Sequence, residues 1–475
     1  MSLVINTNIS SLNAQNNLTK SQSALSTATQ RLSSGLKINS AADNAAGFAI
    51  SQRYTTQIGG LGQASANASD AINLAQTAGS ALDQVTANLQ AIRDLAVQSA
   101  NGTYTDSDRA SIDQEVQQRL AEITRIANQT TFNGSNVLDG SMKTKSFQIG
   151  ADVGQTISVS LGTSVKSSAM GQVAEVSSGD ISGAFKGYTL AAGALNVSVD
   201  GGTTNVAVAA GTYHSAGDLA AAINTAAGSS VATVDSTTGE LKINNGGAAA
   251  LTFTGAAATT LGLPASTAAA GTGASTGVVA ATGDLSKEGL TINGTAIDLS
   301  SAKSLQDVSD AINAAGITGV SAAVNGAGNG INFYSAGALT VGDTKGQIVS
   351  ASATDVNAGA KYTQGTAAAT GGSLATGSVG TVDSANDLIS RVDVALKTVS
   401  DFAAQLGAVQ NRFQSTISTV AAQTTNLQAS QSTIQDADFA AETANLSKAQ
   451  VLQQAGISVL AQANSNPQQV LKLLQ

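Results

Sequence analysis

Val392, Val399, Leu406, Phe413, Val420, Leu427 and Ile434 recur at every seventh position of the chain. A strict seven-residue apolar repeat narrows the choice of fold sharply. It draws one stripe along an α-helix, and that stripe must be covered by another helix. Ile389, Leu396, Ala403 and Ile417 form a second line beside it, interrupted by Gln410, Thr424 and Gln431. No proline falls in the stretch, and Gly407 is its only glycine. At 1.5 Å per residue such a helix is roughly 70 Å long. An ordinary amphipathic core helix is the plainer reading, but globular helices average about a dozen residues, so the length favours a rod.

The stripe needs partners, and of the helical patterns in the N-terminal part of the chain those at Leu82–Ala96 and Ile112–Ile126 are the available ones. Ile5, Ile9 and Leu12 open a helical pattern that Leu18, Leu25 and Leu32 continue, with Ala14, Ser21 and Ala28 on the neighbouring seam. Gly35 suits the end of that helix, because it reaches the left-handed conformation of a C-terminal cap without strain. Beyond a junction at Lys37–Gly47, Leu82, Val85, Leu89, Ile92 and Ala96 alternate by three and four until Asn101-Gly102. Thr105 and Asp108 have capping-box spacing ahead of a third helix carrying Ile112, Val116, Leu120, Ile123 and Ile126. Turn chemistry at Asn133-Gly134 and Asp139-Gly140 then leads to an alternating Phe147, Ile149, Ile157, Val159 and Leu161, the mark of short strands.

From Ala174 to Val382 the helical repeat vanishes, and glycine, alanine, serine and threonine dominate. This insert repeats itself. Asp218-Leu219-Ala220-Ala221-Ala222-Ile223-Asn224 matches Asp307-Val308-Ser309-Asp310-Ala311-Ile312-Asn313, each with β-like runs on both sides, at a period of about ninety residues. The expected fold is mainly α: a long antiparallel coiled-coil rod built from both halves of the chain, with an inserted α+β outer region of two small repeated modules.

Charged residues make up 11% of the chain and aromatics 3%, against about 25% charged in an average domain. Small uncharged side chains pack against copies of themselves without burying unpaired charge. A net charge of −9 argues against nucleic acid or an anionic membrane as partner. Without cysteine there is neither a disulfide framework nor a thiolate metal site. No run is leucine-rich and long enough for a membrane span. Met1–Ser10 lacks the basic start and apolar core of a secretory signal, which by itself suggests a cytoplasmic chain.

Enzymatic readings find little support, and no cofactor is expected. His214, the single histidine, stands in Thr212-Tyr213-His214-Ser215, a surface loop ahead of a helix. Gly326-Ala327-Gly328-Asn329-Gly330 lacks the lysine and spacing of a phosphate loop and reads as a turn between strands. Asp436 and Asp438 fit the start of the last helix, where carboxylates meet the positive end of the helix dipole. Asn293-Gly294-Thr295 is a glycosylation triplet of the sort this composition produces by chance.

The two ends pose a separate problem. About 80 residues carry one apolar stripe each, and fixing them costs on the order of 1–2 kcal/mol per residue. One helix pair does not offset that, so the ends are expected to order only when many copies bury their stripes together. The seam expected to do so comprises Ile5, Ile9, Leu12, Leu18, Leu25, Leu32, Leu452, Val459 and Leu460. The expected rod core comprises Leu82, Val85, Leu89, Ile92, Val399, Leu406, Phe413, Val420 and Leu427.

Arg31-Leu32-Ser33-Ser34-Gly35-Leu36-Lys37-Ile38-Asn39-Ser40-Ala41-Ala42-Asp43-Asn44-Ala45-Ala46-Gly47 resembles the N-terminal signature of bacterial flagellins. Leu95-Ala96-Val97-Gln98-Ser99-Ala100-Asn101-Gly102 and Thr131-Phe132-Asn133-Gly134 are similar to further segments of that family. So are Asp436-Ala437-Asp438-Phe439-Ala440, Leu460-Ala461-Gln462-Ala463-Asn464 and Pro467-Gln468-Gln469-Val470-Leu471 at the other end. The resemblance covers about residues 1–165 and 385–475, with the motifs in the family's order. It implies a self-assembling subunit of the flagellar filament, with residues 1–43 and 436–475 in an inner coiled-coil tube. Residues 44–173 and 383–435 would then form the surrounding rod domain, and 174–278 and 279–382 the two outer modules. It also implies export through the flagellum's own type III channel, an export chaperone on Ala437–Gln475, and contact with filament cap and hook–filament junction proteins. The outer modules acting as an adhesin or host-contact surface is the alternative from a different class. Flagellins that activate the innate immune Toll-like receptor usually read Gln-Arg-(Val/Ile)-Arg-Glu-Leu at one site. This chain reads Gln90-Ala91-Ile92-Arg93-Asp94-Leu95, with Glu115 at a further matching position. Ala91 removes a guanidinium that donates several hydrogen bonds, so weakened activation is expected.

Overall fold

The computed structural model describes residues 8–185, 187–235, 241–267, 272–275, 285 and 288–473. Its helices are α1 (Ile9–Ser34), α2 (Ala45–Ala100), α3 (Asp106–Gln129), α4 (Ala216–Ala227), α5 (Ala256–Thr260), α6 (Leu305–Ala314), α7 (Val382–Gln435) and α8 (Phe439–Leu473). Short strands fill the middle of the chain. The chain is mainly helical, with the long terminal helices packed together and a central region of small strands, as expected. It divides into two compact units, one of residues Met1–Gln76, Thr144–Ser160 and Leu406–Gln475, the other of Thr77–Lys143 and Leu161–Gln405.

In the first unit α1 runs antiparallel to α8, with Asn8 Nδ2 donating to Ala463 O at 2.8 Å and Arg31 3.9 Å from Glu442. Gly35 ends α1 with φ of 71°, its N–H donating back to Arg31 O. Asp438 starts α8 by accepting the amides of Ala440 and Ala441. The links on either side pair with each other: Lys37 N donates to Gln435 O, and Ala437 N to Gly35 O. The first part of α2 packs beside α7, and a hairpin of Thr144–Gln148 and Thr156–Ser160 lies on them. Phe147 of that hairpin meets Phe413 edge to face, ring centroids 5.7 Å apart. Gly60 admits the hairpin turn, since a Cβ there would stand 3.0 Å from that of Ala151.

In the second unit the remainder of α2, α3 and the start of α7 share a core. Val379 N donates to Asp113, Gln117 donates to Gly377 O, and Ser99 donates to Val379 O, which pins the chain as it enters α7. The Thr105–Asp108 capping box is formed. Asn133 and Gly134, both at positive φ, make the tight turn of the hairpin that follows.

The buried line of α2 is longer than its leucines suggest. Leu61, Ala64, Ala68, Ala71, Ala75, Ala78, Leu82, Val85, Leu89, Ile92, Ala96 and Ser99 alternate by three and four, all buried. Alanine gives little hydropathic contrast on a small-residue helix, so the first half of this line was not legible. On α7 the repeat from Val392 to Val420 is buried, but its companion line is Leu388, Ala395, Phe402 and Val409, one residue before the expected set. Further along, the half-buried companions are Ile417, Thr424 and Gln431. A nearly straight α-helix falls behind a strict heptad by about 20° per repeat, which moves the buried line toward later residues.

The repeat of the insert is built as two modules with separate cores. Ser215 and Ser304 cap α4 and α6 by accepting the amides of Asp218 and Asp307. Asn224 accepts from Val231 N and Ala232 N and donates to Ala232 O; Asn313 makes the matching pair of bonds with Ala322. That shared bracket from helix end to following strand explains why Ile-Asn closes both copies. The boundary at Ala174 needs correction. The strand Val173–Ser177 pairs with Ile331–Ser335 and with Thr354–Asp355, and Ala174, Val176 and Ile181 lie in the core of the second module. A strand's partner is set by register across the sheet and not by its place in the chain.

Candidate functional site: the terminal helix pair

Small side chains make much of the contact between α1 and α8. Among the described residues its buried ones are Ala14 and Ala28 of α1 and Ala449 and Glu442 of α8, and Gly456 lies against Leu18. Ser11 Oγ donates to Asn464 at 2.7 Å. Arg31 and Glu442 form the one ion pair between the two helices among the described residues, and the Arg31 Nε is buried without a hydrogen-bond partner. In the junction after α1, Asp43 accepts from the Ser40 amide, the Ser40 hydroxyl and the Asn39 amide, which holds its carboxyl below the usual range.

Of the expected seam, Leu18, Leu25, Leu32 and Leu460 are half-buried, while Ile9, Leu12, Leu452 and Val459 are exposed. Ile5 lies outside the described residues. Val451 and Ile457 are exposed as well, and their i, i+6 spacing off the main stripe kept them from being singled out. The pair therefore buries alanines, half-buries Leu18, Leu25, Leu32 and Leu460, and leaves Ile9, Leu12, Val451, Leu452, Ile457 and Val459 exposed. Of the expected core, Leu82, Val85, Leu89, Ile92 and Val399 are buried in the second unit. Leu406, Phe413 and Val420 are buried in the first, with Leu427 half-buried.

Gln90, Arg93, Leu95 and Glu115, the residues expected at a receptor contact, lie in the second unit. Gln90 is exposed and Leu95 half-buried. Arg93 makes a forked ion pair with Asp393 at 2.7 and 3.4 Å, and Glu115 accepts from Arg119. His214 sits exposed in the bend before α4, and Gly326–Gly330 is the turn between two strands. Asn293-Gly294 is a two-residue hairpin turn, both residues at positive φ. Among the described residues no group of three or more His, Cys, Asp or Glu could hold a metal ion. No described helix is long and apolar enough to cross a membrane.

Long end helices that pair with each other, aliphatic side chains left exposed on both of them, and an inserted region of small strands define a helical structural subunit. Comparison with known proteins makes the class specific. Residues 5–143 match the bacterial flagellin N-terminal helical region, and residues 389–474 the bacterial flagellin C-terminal helical region. The chain is 38% identical to a flagellin of Salmonella rubislaw over 514 aligned residues, covering all of both chains. It is likewise 38% identical to the B-type flagellin of Pseudomonas aeruginosa over 513, again covering both in full. Among solved structures, FliC from Burkholderia pseudomallei aligns with 26% identity and a TM-score of 0.30, over 72% of this chain and 99% of that one. FlgL of Xanthomonas campestris aligns with 13% identity and a TM-score of 0.33, over 80% and 99%.

The chain belongs to the bacterial flagellin family. It is a structural protein and not an enzyme, a subunit of the homopolymeric flagellar filament outside the cell.

Proposed function

We propose that the outward aliphatic face of the α1–α8 pair is the surface through which subunits join. The observation that carries this reading is the inversion at the pair: alanines inside, Ile9, Leu12, Leu452 and Val459 outside. Several exposed aliphatic side chains on a packed helix pair mark an interaction surface. The pair orders fully when neighbouring copies cover that face, because a contact lined by alanine offsets little backbone entropy alone. Residues 1–43 and 436–475 then form the inner tube, and 44–173 with 383–435 the surrounding rod domain. The insert forms the outer surface. Sedimentation and electron microscopy of full-length protein and of a chain lacking residues 1–40 and 440–475 test this. Long tubes from the first and monomers from the second support it; equal polymerisation of both refutes it.

Export follows the same logic. A chain without cysteine, carrying small side chains, passes as an unfolded thread through the flagellar type III channel. The Ala437–Gln475 segment, with its exposed Val451, Leu452 and Val459, is the surface for an export chaperone before assembly. Cap and hook–filament junction proteins meet the same end surfaces at the two ends of the filament. Gln90, Arg93, Leu95 and Glu115 form what remains of a Toll-like receptor contact. It is weakened by Ala91 and by the engagement of Arg93 with Asp393. Restoring the guanidinium with Ala91→Arg adds on the order of 2 kcal/mol at an interface centre. Reporter-cell potency that does not rise in that variant removes the receptor reading.

A further inference from the structure

One face of the second module's sheet is apolar, and the opposite face is not. Ala174 and Val176, Ile331 and Phe333, and Ala322 point into the module's core. Register puts the alternate residues on the other face: Glu175 opposite Tyr334, Ser177 opposite Asn332, and Ser321 opposite Tyr334 on its far side. That face meets the first turns of α7. Gly326 N donates to Asp383 Oδ1 at 2.7 Å, Asn332 Nδ2 reaches the same oxygen at 3.4 Å, and the Ser321 and Ser390 hydroxyls stand 3.5 Å apart.

The contact is polar, buried and incompletely bonded. Glu175 is 7% exposed, and its carboxyl makes no hydrogen bond among the described residues. Tyr334 is 2% exposed, and its hydroxyl, like the Asn332 carbonyl oxygen, is buried without a partner. The one cation facing Glu175, Arg391, is already committed. Its Nε donates to both oxygens of Asp387 at 2.7 and 2.6 Å, and its Nη1 to Ser373 O and Thr376 Oγ1. The other charges facing Glu175 from α7 are Asp383 and Asp387, both of its own sign. The strand beside it brings Tyr334; on the other side Val356 N donates to Glu175 O, and Asp355 stands opposite Val176, whose side chain lies toward the core and not toward Glu175.

We propose that this face is a proton-sensitive joint: the second module seats on α7 when Glu175 is neutral and loosens when Glu175 ionises. A neutral carboxyl in this setting buries one more polar group. An ionised one buries a charge beside two like charges, with the neighbouring guanidinium already bound elsewhere. Burial, followed by the charge of Asp387, raises the Glu175 carboxyl to about 7. Because the closed joint prefers the protonated form, its stability is fully present below the ordinary carboxylate pKa. It drains as pH rises toward the raised value and levels off above it.

Hydrogen exchange of the full-length monomeric protein at pH 5 and pH 8, corrected for intrinsic exchange, reads this directly. Amides of residues 326–334 and 382–391 are expected to open at least tenfold more at pH 8, and those of the first module to stay level. Glu175→Gln, the uncharged isostere, is expected to remove the pH dependence and keep the protected state. Tyr334→Phe reports whether the fold tolerates change at this face, and it is expected to retain the dependence. A flat wild-type response, a change spread over the whole chain, or the same pH dependence in Glu175→Gln overturns the proposal.

Discussion

The assembly reading turns on side chains that a single subunit leaves outward, and its sharpest test is to shorten two of them. Leu12 is 57% exposed on α1 and Val459 is 56% exposed on α8. Complete burial of a leucine or valine side chain contributes roughly 1.5–3 kcal/mol. With somewhat more than half of that surface still open to water, each should contribute about 1 kcal/mol when a neighbouring copy covers it. Leu12→Ala with Val459→Ala therefore removes about 2 kcal/mol per added subunit, which raises the critical concentration for polymerisation about 30-fold. The assay is pelleting of polymer across a series of total protein concentrations, with the plateau of unpelleted protein taken as the critical concentration. Alanine keeps helix propensity high, and neither side chain is buried within the chain, so unfolding of the remaining structure should not move. A critical concentration within twofold of the starting protein refutes the argument. So does a loss of polymer accompanied by an equal loss of monomer stability, which would make these side chains part of the fold.

Core and surface should separate cleanly in the other variants. Phe413→Ala removes a fully buried ring and its edge-to-face contact with Phe147, for a loss of about 3–5 kcal/mol. Urea unfolding followed by circular dichroism should show the midpoint fall, and an unmoved midpoint contradicts the packing described. Asn313→Ala takes the side-chain partner from the Ala322 amide, while the Ala322 carbonyl keeps the Ser309 hydroxyl, for about 1–3 kcal/mol from the one orphaned group. Faster hydrogen exchange confined to the second module is the expected sign, and Asn224→Ala should do the same in the first. Glu288 is buried beside Asp343, whose carboxylate accepts four backbone amides between Lys345 and Val349. Burial and the shared hydrogen bond with Asp343 raise the Glu288 carboxyl well above the usual range. The stability it contributes is present at acid pH and drains as pH rises from the ordinary carboxylate range through the raised value. Glu288→Gln should flatten that slope in the thermal unfolding of the second module, and an unchanged slope places the titration elsewhere.

Much of this protein was legible without coordinates. A seven-residue repeat from Val392 to Ile434 can be satisfied only by a long helix with helical partners, so periodicity pointed to α7 and to its need for cover, while the pairing of the two end helices was implied by the family resemblance. Asn133-Gly134 and the Thr105–Asp108 box are local devices whose geometry follows from their own few residues, and both are present. The repeated Asp-…-Ile-Asn segment marked two modules, and the side chains of Asn224 and Asn313 supply the reason.

Tertiary structure decided what local pattern leaves open. It chose Leu388, Ala395, Phe402 and Val409 over their neighbours one residue later, because both lines border the stripe and only the partner's position distinguishes them. It gave the strand at Val173–Ser177 to the second module, because β-pairing joins residues far apart in the chain. It placed Ala14, Ala28 and Ala449 inside the terminal pair and left Ile9, Leu12, Leu452 and Val459 exposed, a choice between neighbouring seams that spacing alone does not make. And it set Glu175 against Asp387 and Tyr334 through sheet register and helix packing together. Sequence determines which faces must be covered; which atoms cover them depends on distances that exist only once the chain has folded.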